Sequence, residues 1–290
     1  MNRALKILLR AAGFAVLLIT FSAPGTVFAG AIDTIRANQT IRIAYRDDAP
    51  PFSYKKASDT EPAGFMVNLC RAVAKKIGEQ LGTSLLKVTY VAVTAANRFD
   101  AIRKNDADLL CEATSITLSR RKLVDFSIPT FVDGAGIVTT VTDLHELKDL
   151  ARRKVGVVAG TTTEEALRRA LSAGGIEAEI VQAKTHDEGL AMLDDGKTAA
   201  YLADRAILTF LLQNSKAMDK LRFADNYLSV EPYALALPLG DQDFRLAVDT
   251  ALSRIYRSGD ILAIFNETFG GKVKPTDLLK TLYAVSGVPD

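Results

Sequence analysis

Two runs of alternating strand and helix patterns limit the fold of this chain more than any other feature of its sequence. In the first run, residues 40–45 alternate apolar and polar side chains, which predicts a strand. After it come a helical pattern at 64–81, a β-branched strand at 86–93, a short helix through Arg103 with Thr94 as candidate N-cap, and a buried strand at 108–113. Such alternation is typical of a parallel sheet that helices cover.

The second run repeats this order after an extended, glycine-containing stretch at 131–140, which suits a crossing between domains. It predicts strands at 154–159, 180–183 and 199–202, a helix that a capping-box spacing opens at 161–164, and a helix at 185–195. A later strand pattern at 233–237 and helices at 243–258 and 260–269 need a sheet to join. The chain either returns to the first sheet or extends the second, and periodicity leaves both arrangements open.

Composition and charge indicate a folded protein that is close to neutral. Of the 290 residues, 48% are hydrophobic, enough for one or two full cores, so a disordered or collagenous chain is excluded. The formal net charge is +2, and loss of the first 29 residues, which hold three basic and no acidic side chains, turns it into −1. This balance argues against nucleic acid or an anionic membrane as the main partner.

The first 29 residues have the pattern of a secretory signal. A basic segment at 1–10 precedes an apolar run at 11–21, and small residues stand at Val27 and Ala29 before Gly30. The alternative is a membrane anchor, but the run is shorter than the ~20 residues that span a bilayer. We therefore predict a signal peptide at 1–29 that is cleaved on export, and a soluble mature protein. The residue directly after the cleavage point is Gly30 and not a cysteine, which argues against a lipoprotein.

Cys70 and Cys111 are the two cysteines of the chain. In an oxidising compartment they could form a disulfide, whereas two buried thiols are the other interpretation, and the sequence leaves both open. Together with His145 and His186 they fall short of a structural zinc site, so we predict no metal. The chain also lacks the phosphate-binding loops and nucleophile motifs that indicate a cofactor or covalent catalysis. We therefore predict no cofactor and no catalytic residues.

The stretch 111–129, CEATSITLSRRKLVDFSIP, is the most informative part of the sequence. Thr114, Ser115 and Thr117 supply hydroxyl groups just after a predicted sheet strand, and Arg120 and Arg121 follow. A guanidinium binds a carboxylate through two parallel hydrogen bonds, which strand-end hydroxyls can complement. A capped helix with a solvated basic face is the alternative interpretation.

The same stretch resembles the signature of the polar amino-acid solute-binding proteins of bacterial ABC importers. The matching motifs are Thr117-x-x-Arg120 and Asp125-Phe126-Ser127-x-Pro129. Further similar segments cover nearly all of the mature chain, at 64–78, 154–167 and 199–208. Within the family the chain is most similar to the glutamate/aspartate-binding branch, through YRDDAPPFSY at 45–54, ANRFDAI at 96–102 and AKTH at 183–186.

The resemblance implies a class II periplasmic binding protein fold, with two α/β lobes, each a mostly parallel sheet flanked by helices, around a ligand cleft. It places the first lobe at 30–133 and 234–290, the second at 139–228, and two crossover segments at 134–138 and 229–233. The chain is thereby expected to return to its first sheet.

The resemblance also implies a set of ligand-binding residues. Arg120 corresponds to the residue that binds the α-carboxylate, with Thr114 and Ser115 beside it. Thr161 and Thr162 lie where the second lobe supplies hydroxyl and backbone N–H donors, which agrees with the anion affinity of a helix N-terminus. Asp204 corresponds to the residue that takes the ammonium group, and an ordinary helix N-cap is its alternative role.

Arg46, Arg98 and His186 match the positions at which the acidic-amino-acid branch holds the side-chain carboxylate. A buried cationic pocket would be left unpaired by a neutral amino acid, which favours glutamate or aspartate. Ala95 and Ala113 depart from this branch, which has serines there. The ligand is therefore either acidic and held differently, or a different polar amino acid.

We predict a monomeric periplasmic receptor, not an enzyme, that delivers an amino acid to an ABC permease in the inner membrane. One alternative is a cyclohexadienyl (prephenate/arogenate) dehydratase on the same fold, with His186 or Glu112 as its general acid. Another is a sensor that acts through a separate partner.

Overall fold

A computed structural model of the chain describes residues 30–289, except 84, 85, 214, 226 and 272. The predicted signal peptide at 1–29 lies outside the described residues. Among the residues that are described, no helix combines the length and the hydrophobicity needed to cross a bilayer.

Helices and strands alternate along the chain, as the sequence predicts. The helices are α1 (Ala31–Asn38), α2 (Phe65–Gln80), α3 (Arg98–Arg103), α4 (Thr162–Gly174), α5 (His186–Asp194), α6 (Arg205–Leu212), α7 (Gln242–Ser258), α8 (Asp260–Phe269) and α9 (Asp277–Ser286). The strands are β1 (Thr40–Arg46), β2 (Asp48–Ala49), β3 (Ser53–Tyr54), β4 (Lys87–Val93), β5 (Leu109–Leu110), β6 (Asp125–Phe126), β7 (Phe131–Asp133), β8 (Ala135–Thr139), β9 (Lys154–Val158), β10 (Glu179–Ala183), β11 (Ala200–Asp204), β12 (Arg222–Phe223), β13 (Glu231–Tyr233) and β14 (Ala236–Leu237).

The first sheet has the strand order β4-β1-β5-β14-β6. Strands β4, β1 and β5 are parallel, whereas β14 runs antiparallel to both of its neighbours. The late strand β14 lies between strands from the first part of the chain, so the chain does return to its first sheet. This answers the question that hydrophobic periodicity left open. Helix α2 buries an apolar face here that includes Phe65, Leu69 and Ile77, as its period predicts.

The second sheet has the order β10-β9-β11-β8-β12, with β10, β9 and β11 parallel and β8 and β12 antiparallel. The predicted two-lobed fold with mostly parallel sheets is therefore confirmed. In both sheets the parallel strands end toward the same region, where the loops that follow them bring polar side chains together.

Two antiparallel strands, β7 and β13, run side by side between the two sheets. Next to them, a Cβ added at Gly134 would lie 2.0 Å from the carbonyl oxygen of Ser229, so only glycine allows this close approach. The segment 134–138, which the resemblance assigned to a crossover, lies largely in β8 of the second sheet. The lobe boundaries stay a prediction, with β7 and β13 as candidates for the crossovers.

Local structure departs from the prediction in three places. Helix α3 begins at Arg98 with Asn97 in the N-cap position, whereas Thr94 was the candidate. The Thr94 hydroxyl still accepts a hydrogen bond from the backbone N–H of Asn97 at 3.4 Å, and the Asn97 side chain accepts one from the backbone N–H of Thr94 at 2.7 Å. The predicted strand 233–237 is divided between β13 and β14. Helices α1 and α9 were not predicted, because their short apolar faces give weak periodic signals.

Cys70 and Cys111 form a disulfide with a Cα–Cα distance of 6.2 Å. Both residues are fully buried in the core of the first sheet. The bond joins helix α2 to the end of β5, immediately before Glu112. It therefore fixes the segment from which several polar side chains enter the region between the sheets.

We predict that removal of this disulfide destabilises the protein. The double variant Cys70→Ala, Cys111→Ala should lower the free energy of unfolding by about 2–4 kcal/mol, because the unfolded chain regains the freedom of a long loop. Denaturant unfolding of the oxidised protein, the reduced protein and the variant measures the difference. Equal midpoints for all three would contradict a stabilising role.

Candidate functional site

A cavity between the two sheets is lined from both sides by residues that the sequence singled out. Seven predicted site residues line it: Arg46, Arg98, Arg120, Thr161, Thr162, His186 and Asp204. The other two, Thr114 and Ser115, are buried beside it but do not line it. The strand ends of the fold explain the convergence, since Arg46 ends β1, Thr161 follows β9 and Asp204 ends β11.

Arg120 is a buried cation at the start of a 3-10 turn that spans Arg120–Lys122. Its backbone N–H donates to the Thr117 hydroxyl at 3.1 Å, and its Nη1 donates to the Ser115 carbonyl at 2.9 Å. Its guanidinium lies 5.4 Å from the centre of the Phe99 ring. Burial lowers the pKa of Arg120 below its usual value, because desolvation disfavours the charged form.

Among the residues that the structure describes, none forms an ion pair with Arg120. A buried positive charge without a carboxylate partner is costly, and binding an anion from the cavity removes that cost. Nη1 and Nη2 of Arg120 carry four hydrogens, and the three that do not bond to the Ser115 carbonyl can donate to such an anion. Arg120 is therefore the strongest anion site of the cavity.

Helix α4 adds donors on the opposite wall. Thr161 is its N-cap, and its side chain accepts a hydrogen bond from the backbone N–H of Glu164 at 3.2 Å, which is one half of the predicted capping box. The Glu164 side chain accepts from the backbone N–H of Gly160 at 2.9 Å instead of from that of Thr161. The first turn of the helix thus opens into the cavity, where Thr162 and Thr163 lie. The N-terminus of a helix favours negative charge, so this wall attracts the same anion as Arg120 does.

Ser115, from the side of the first sheet, and Thr162, from α4, meet beside the cavity, with their hydroxyl oxygens 3.0 Å apart. Both hydroxyls also donate to the carboxylate of Glu231, with 2.6 Å for Thr162. Thr114 donates its hydroxyl to the carboxylate of Glu112. The hydroxyl groups of Thr114, Ser115 and Thr162 thus all donate within the protein. Sequence reasoning missed Glu231, since a single acid within a short strand gives no signal.

Asp204 lines the cavity at the end of β11. It occupies the N-cap position of α6, but its side chain makes no capping hydrogen bond, so the ordinary N-cap role does not account for it. Burial and the nearby carboxylates of Asp133 and Glu231 raise the pKa of Asp204 to about 7. A cation placed beside it would stabilise the ionised form.

Arg46 and Arg98 line the cavity, and both are already paired with acidic side chains. Arg46 forms a bidentate pair with Asp48, with Nε–Oδ1 and Nη2–Oδ2 distances of 2.8 Å each. Glu112 lies between the two arginines, 3.7 Å from Nη1 of Arg46 and 3.2 Å from Nε of Arg98. Burial lowers the pKa of Arg98 to about 10. Sequence reasoning did not identify Asp48 or Glu112 as their partners, although each acid lies two residues after the end of a strand, β1 for Asp48 and β5 for Glu112.

His186 is the first residue of α5 and is buried. Its backbone N–H donates to Asp48 at 3.0 Å, and its Nδ1 lies 2.7 Å from the hydroxyl of Tyr201. Burial and the positive charge of Arg46 lower the pKa of His186 to about 3. The imidazole is therefore neutral at physiological pH and adds no positive charge to the cavity.

The chain belongs to a family described as bacterial extracellular solute-binding proteins, family 3, whose profile matches residues 41–271. The resemblance to polar amino-acid solute-binding proteins is thereby confirmed.

Similar proteins fit this assignment. An L-glutamate/L-aspartate-binding protein of Pseudomonas aeruginosa is 29% identical over 86% of this chain and 83% of its own. An L-cystine-binding protein of Escherichia coli is 26% identical over 84% of this chain and 88% of its own. A solved ancestral amino acid-binding protein, a precursor of cyclohexadienyl dehydratase, is 25% identical with a TM-score of 0.72, and the match covers 82% of this chain and 99% of that one.

The similar proteins are binding proteins, and this chain is a binding protein rather than an enzyme. The neighbour connected with the dehydratase is itself an amino acid-binding protein. In the described part of the chain, no group of three or more His, Cys, Asp and Glu side chains could hold a metal ion. The site offers charged and hydrogen-bonding groups of both signs to a small solute.

We predict that Asp204 destabilises the unliganded protein at high pH. Its pKa of about 7 lies above the ordinary aspartate value of 3.8, so the folded state holds the proton more tightly than the unfolded state and stability falls as the pH rises between these values. Asp204→Asn should therefore unfold with a free energy higher by about 1 kcal/mol or more at pH 8, and the gain should disappear near pH 4.

Denaturant unfolding across this pH range measures the effect. Asp219→Asn, at an exposed aspartate, is the matched control and should change stability little at any pH. A destabilised Asp204→Asn protein at pH 8 would contradict the assignment of a buried carboxylate that has no cationic partner among the described residues.

Proposed function

We propose that this protein is the substrate-binding component of an amino-acid ABC importer and that it holds a free L-amino acid in the cavity between its lobes. One observation carries the proposal: Arg120 without a carboxylate partner and Asp204 without a cationic partner, among the described residues, line the same cavity. A zwitterion supplies both missing partners at once.

In this proposal the α-carboxylate binds the guanidinium of Arg120 and the backbone N–H groups at the start of α4, at Thr161 and Thr162, whose hydroxyl groups already donate within the protein. The ammonium group binds Asp204 and keeps its carboxylate ionised. Arg120 is attached to the first sheet, whereas Asp204 and α4 belong to the second. Binding therefore favours the closed arrangement, because only that arrangement brings these groups together.

The predicted site of action is the periplasm, with delivery to a permease of the inner membrane and a monomeric receptor. The signal-like segment at 1–29 and the family of extracellular solute-binding proteins support export. The names of the relatives support an amino acid as the solute.

Two classes of amino acid are candidates for the ligand. Glutamate or aspartate is supported by the name of the Pseudomonas aeruginosa relative and by Arg46 and Arg98 in the cavity wall. A polar amino acid with an uncharged side chain is the second candidate. It is favoured by Asp48 and Glu112, which already pair with both arginines.

A thermal-shift screen of the mature protein against the twenty amino acids tests the proposal, since a ligand that binds the native state raises the melting temperature. The amino acid with the largest shift is then titrated calorimetrically into Arg120→Ala. We expect its affinity to fall by more than about 100-fold, because one partner of a buried charge pair is removed.

Arg121→Ala provides the matched control, because Arg121 is the adjacent arginine and its side chain is exposed. It should leave the affinity close to that of the wild type. Near wild-type binding by Arg120→Ala, or no thermal shift with any amino acid, would contradict the proposed function.

A further inference from the structure

We propose that Asp48 and Glu112 are specificity-determining residues: they neutralise Arg46 and Arg98 from behind the cavity wall, so that the protein selects an L-amino acid with an uncharged side chain that accepts hydrogen bonds. This inference rests on the proposed function and chooses between its two candidate ligand classes. The observation behind it is the set of ion pairs that Arg46 and Arg98 form with Asp48 and Glu112.

The two carboxylates lie behind the arginines rather than beside them. Arg46 and Arg98 line the cavity, whereas Asp48 and Glu112 do not. Glu112 is fully buried, and Asp48 is 9% exposed. A ligand in the cavity therefore meets guanidinium groups whose charge is already balanced on their far side.

Each carboxylate is held in place by contacts within the protein. Burial by itself would raise the pKa of Asp48, but the attraction of the Arg46 guanidinium outweighs burial and the pKa lies below the usual value. Glu112 lies between two guanidinium groups and accepts a hydrogen bond from the Thr114 hydroxyl. The pairs are thus part of the folded protein and not an arrangement that awaits a ligand.

The charges of this side-chain subsite sum to zero. Arg46 and Arg98 contribute two positive charges, Asp48 and Glu112 contribute two negative charges, and His186 is neutral. Among the described residues, no further acid or base pairs with these two arginines. An acidic side chain would add a third carboxylate to a buried, balanced set, which like-charge repulsion and desolvation both oppose.

The free donors of the subsite define the side chain that fits. Arg46 uses Nε and one hydrogen of Nη2 for Asp48, and its Nη1 has no hydrogen-bond partner among the described residues. Arg98 uses its Nη groups for the carbonyls of Ala95 and Gly160, with one hydrogen left on each. These N–H groups donate to a neutral acceptor such as an amide carbonyl or a hydroxyl without any change in the charge balance.

The test compares L-glutamine and L-asparagine with L-glutamate and L-aspartate by calorimetric titration into the mature wild-type protein. We expect an uncharged amino acid to bind more tightly than its acidic counterpart. In Glu112→Gln, one negative charge is lost at constant shape, and the ratio of acidic to uncharged affinities should rise by about tenfold or more, the range for hydrogen bonds to charged groups. Asp48→Asn should shift the ratio in the same direction.

Asp108→Asn is the matched control. Asp108 is buried and forms an ion pair with a partly exposed arginine of the first sheet, Arg42, with 2.5 Å between Nη2 and Oδ1, but it precedes β5 whereas Glu112 follows it. Neither residue lines the cavity. Asp108→Asn should lower the free energy of unfolding and leave the ratio of acidic to uncharged affinities unchanged. This separates a selectivity effect from general destabilisation.

The outcomes distinguish this inference from the proposed function. Tighter binding of the acidic amino acid by the wild type overturns the inference and leaves the proposed function standing. An unchanged ratio in both folded variants also overturns it, and circular dichroism shows whether each variant is folded. If one variant does not fold, the other variant and the wild-type ranking still decide. If no amino acid binds the wild type, both the function and the inference are wrong.

Discussion

A buried guanidinium without a carboxylate partner is the constraint on which this account depends. Arg120 is 7% exposed, and within the described residues it is held by the Ser115 carbonyl, the Thr117 hydroxyl and the Phe99 ring rather than by an acid. A protein that only needed stability would pair or expose such a charge. The missing partner is therefore the feature that connects the fold to the binding of an anionic group.

The fold places the other groups of the site near this cation by bringing the strand ends of two sheets together. Asp204 and the N-terminus of α4 come from the second sheet, and the strands β7 and β13 run between the sheets. The contacts that Ser115 and Glu231 make with Thr162 link the two sides without using either Arg120 or Asp204. The two unmatched charges thus remain available to a zwitterion in the closed arrangement.

Much of this could be predicted from the sequence. The spacing of apolar residues identified α2 and the longer parallel strands β1, β4, β9, β10 and β11, and a capping-box spacing identified α4, because regular buried faces and helix caps leave clear signals. The strand ends that carry Arg46, Thr161 and Asp204 follow from the same pattern. The return of β14 to the first sheet could not be derived from periodicity, since a two-residue strand fits either sheet.

The sequence does not show which buried charged side chains form ion pairs with one another. Arg46 and Arg98 were assigned to a cationic subsite from their positions, and they do line the cavity. Glu112 approaches Arg98 only in the folded chain, and the pair of Arg46 with Asp48, two residues apart in the sequence, depends on how the two side chains are oriented. These ion pairs decide the net charge that a ligand meets. Likewise, the low pKa of His186 arises from burial and from Arg46, which a one-dimensional pattern does not report.

The most direct measurement is a crystal structure of the mature protein with the amino acid that raises its melting temperature most. The account predicts that the α-carboxylate lies within about 3 Å of the Arg120 guanidinium nitrogens and that the ammonium group lies equally close to the Asp204 carboxylate. An amino acid bound outside this cavity, or bound inside it with its carboxylate away from Arg120, would contradict the account.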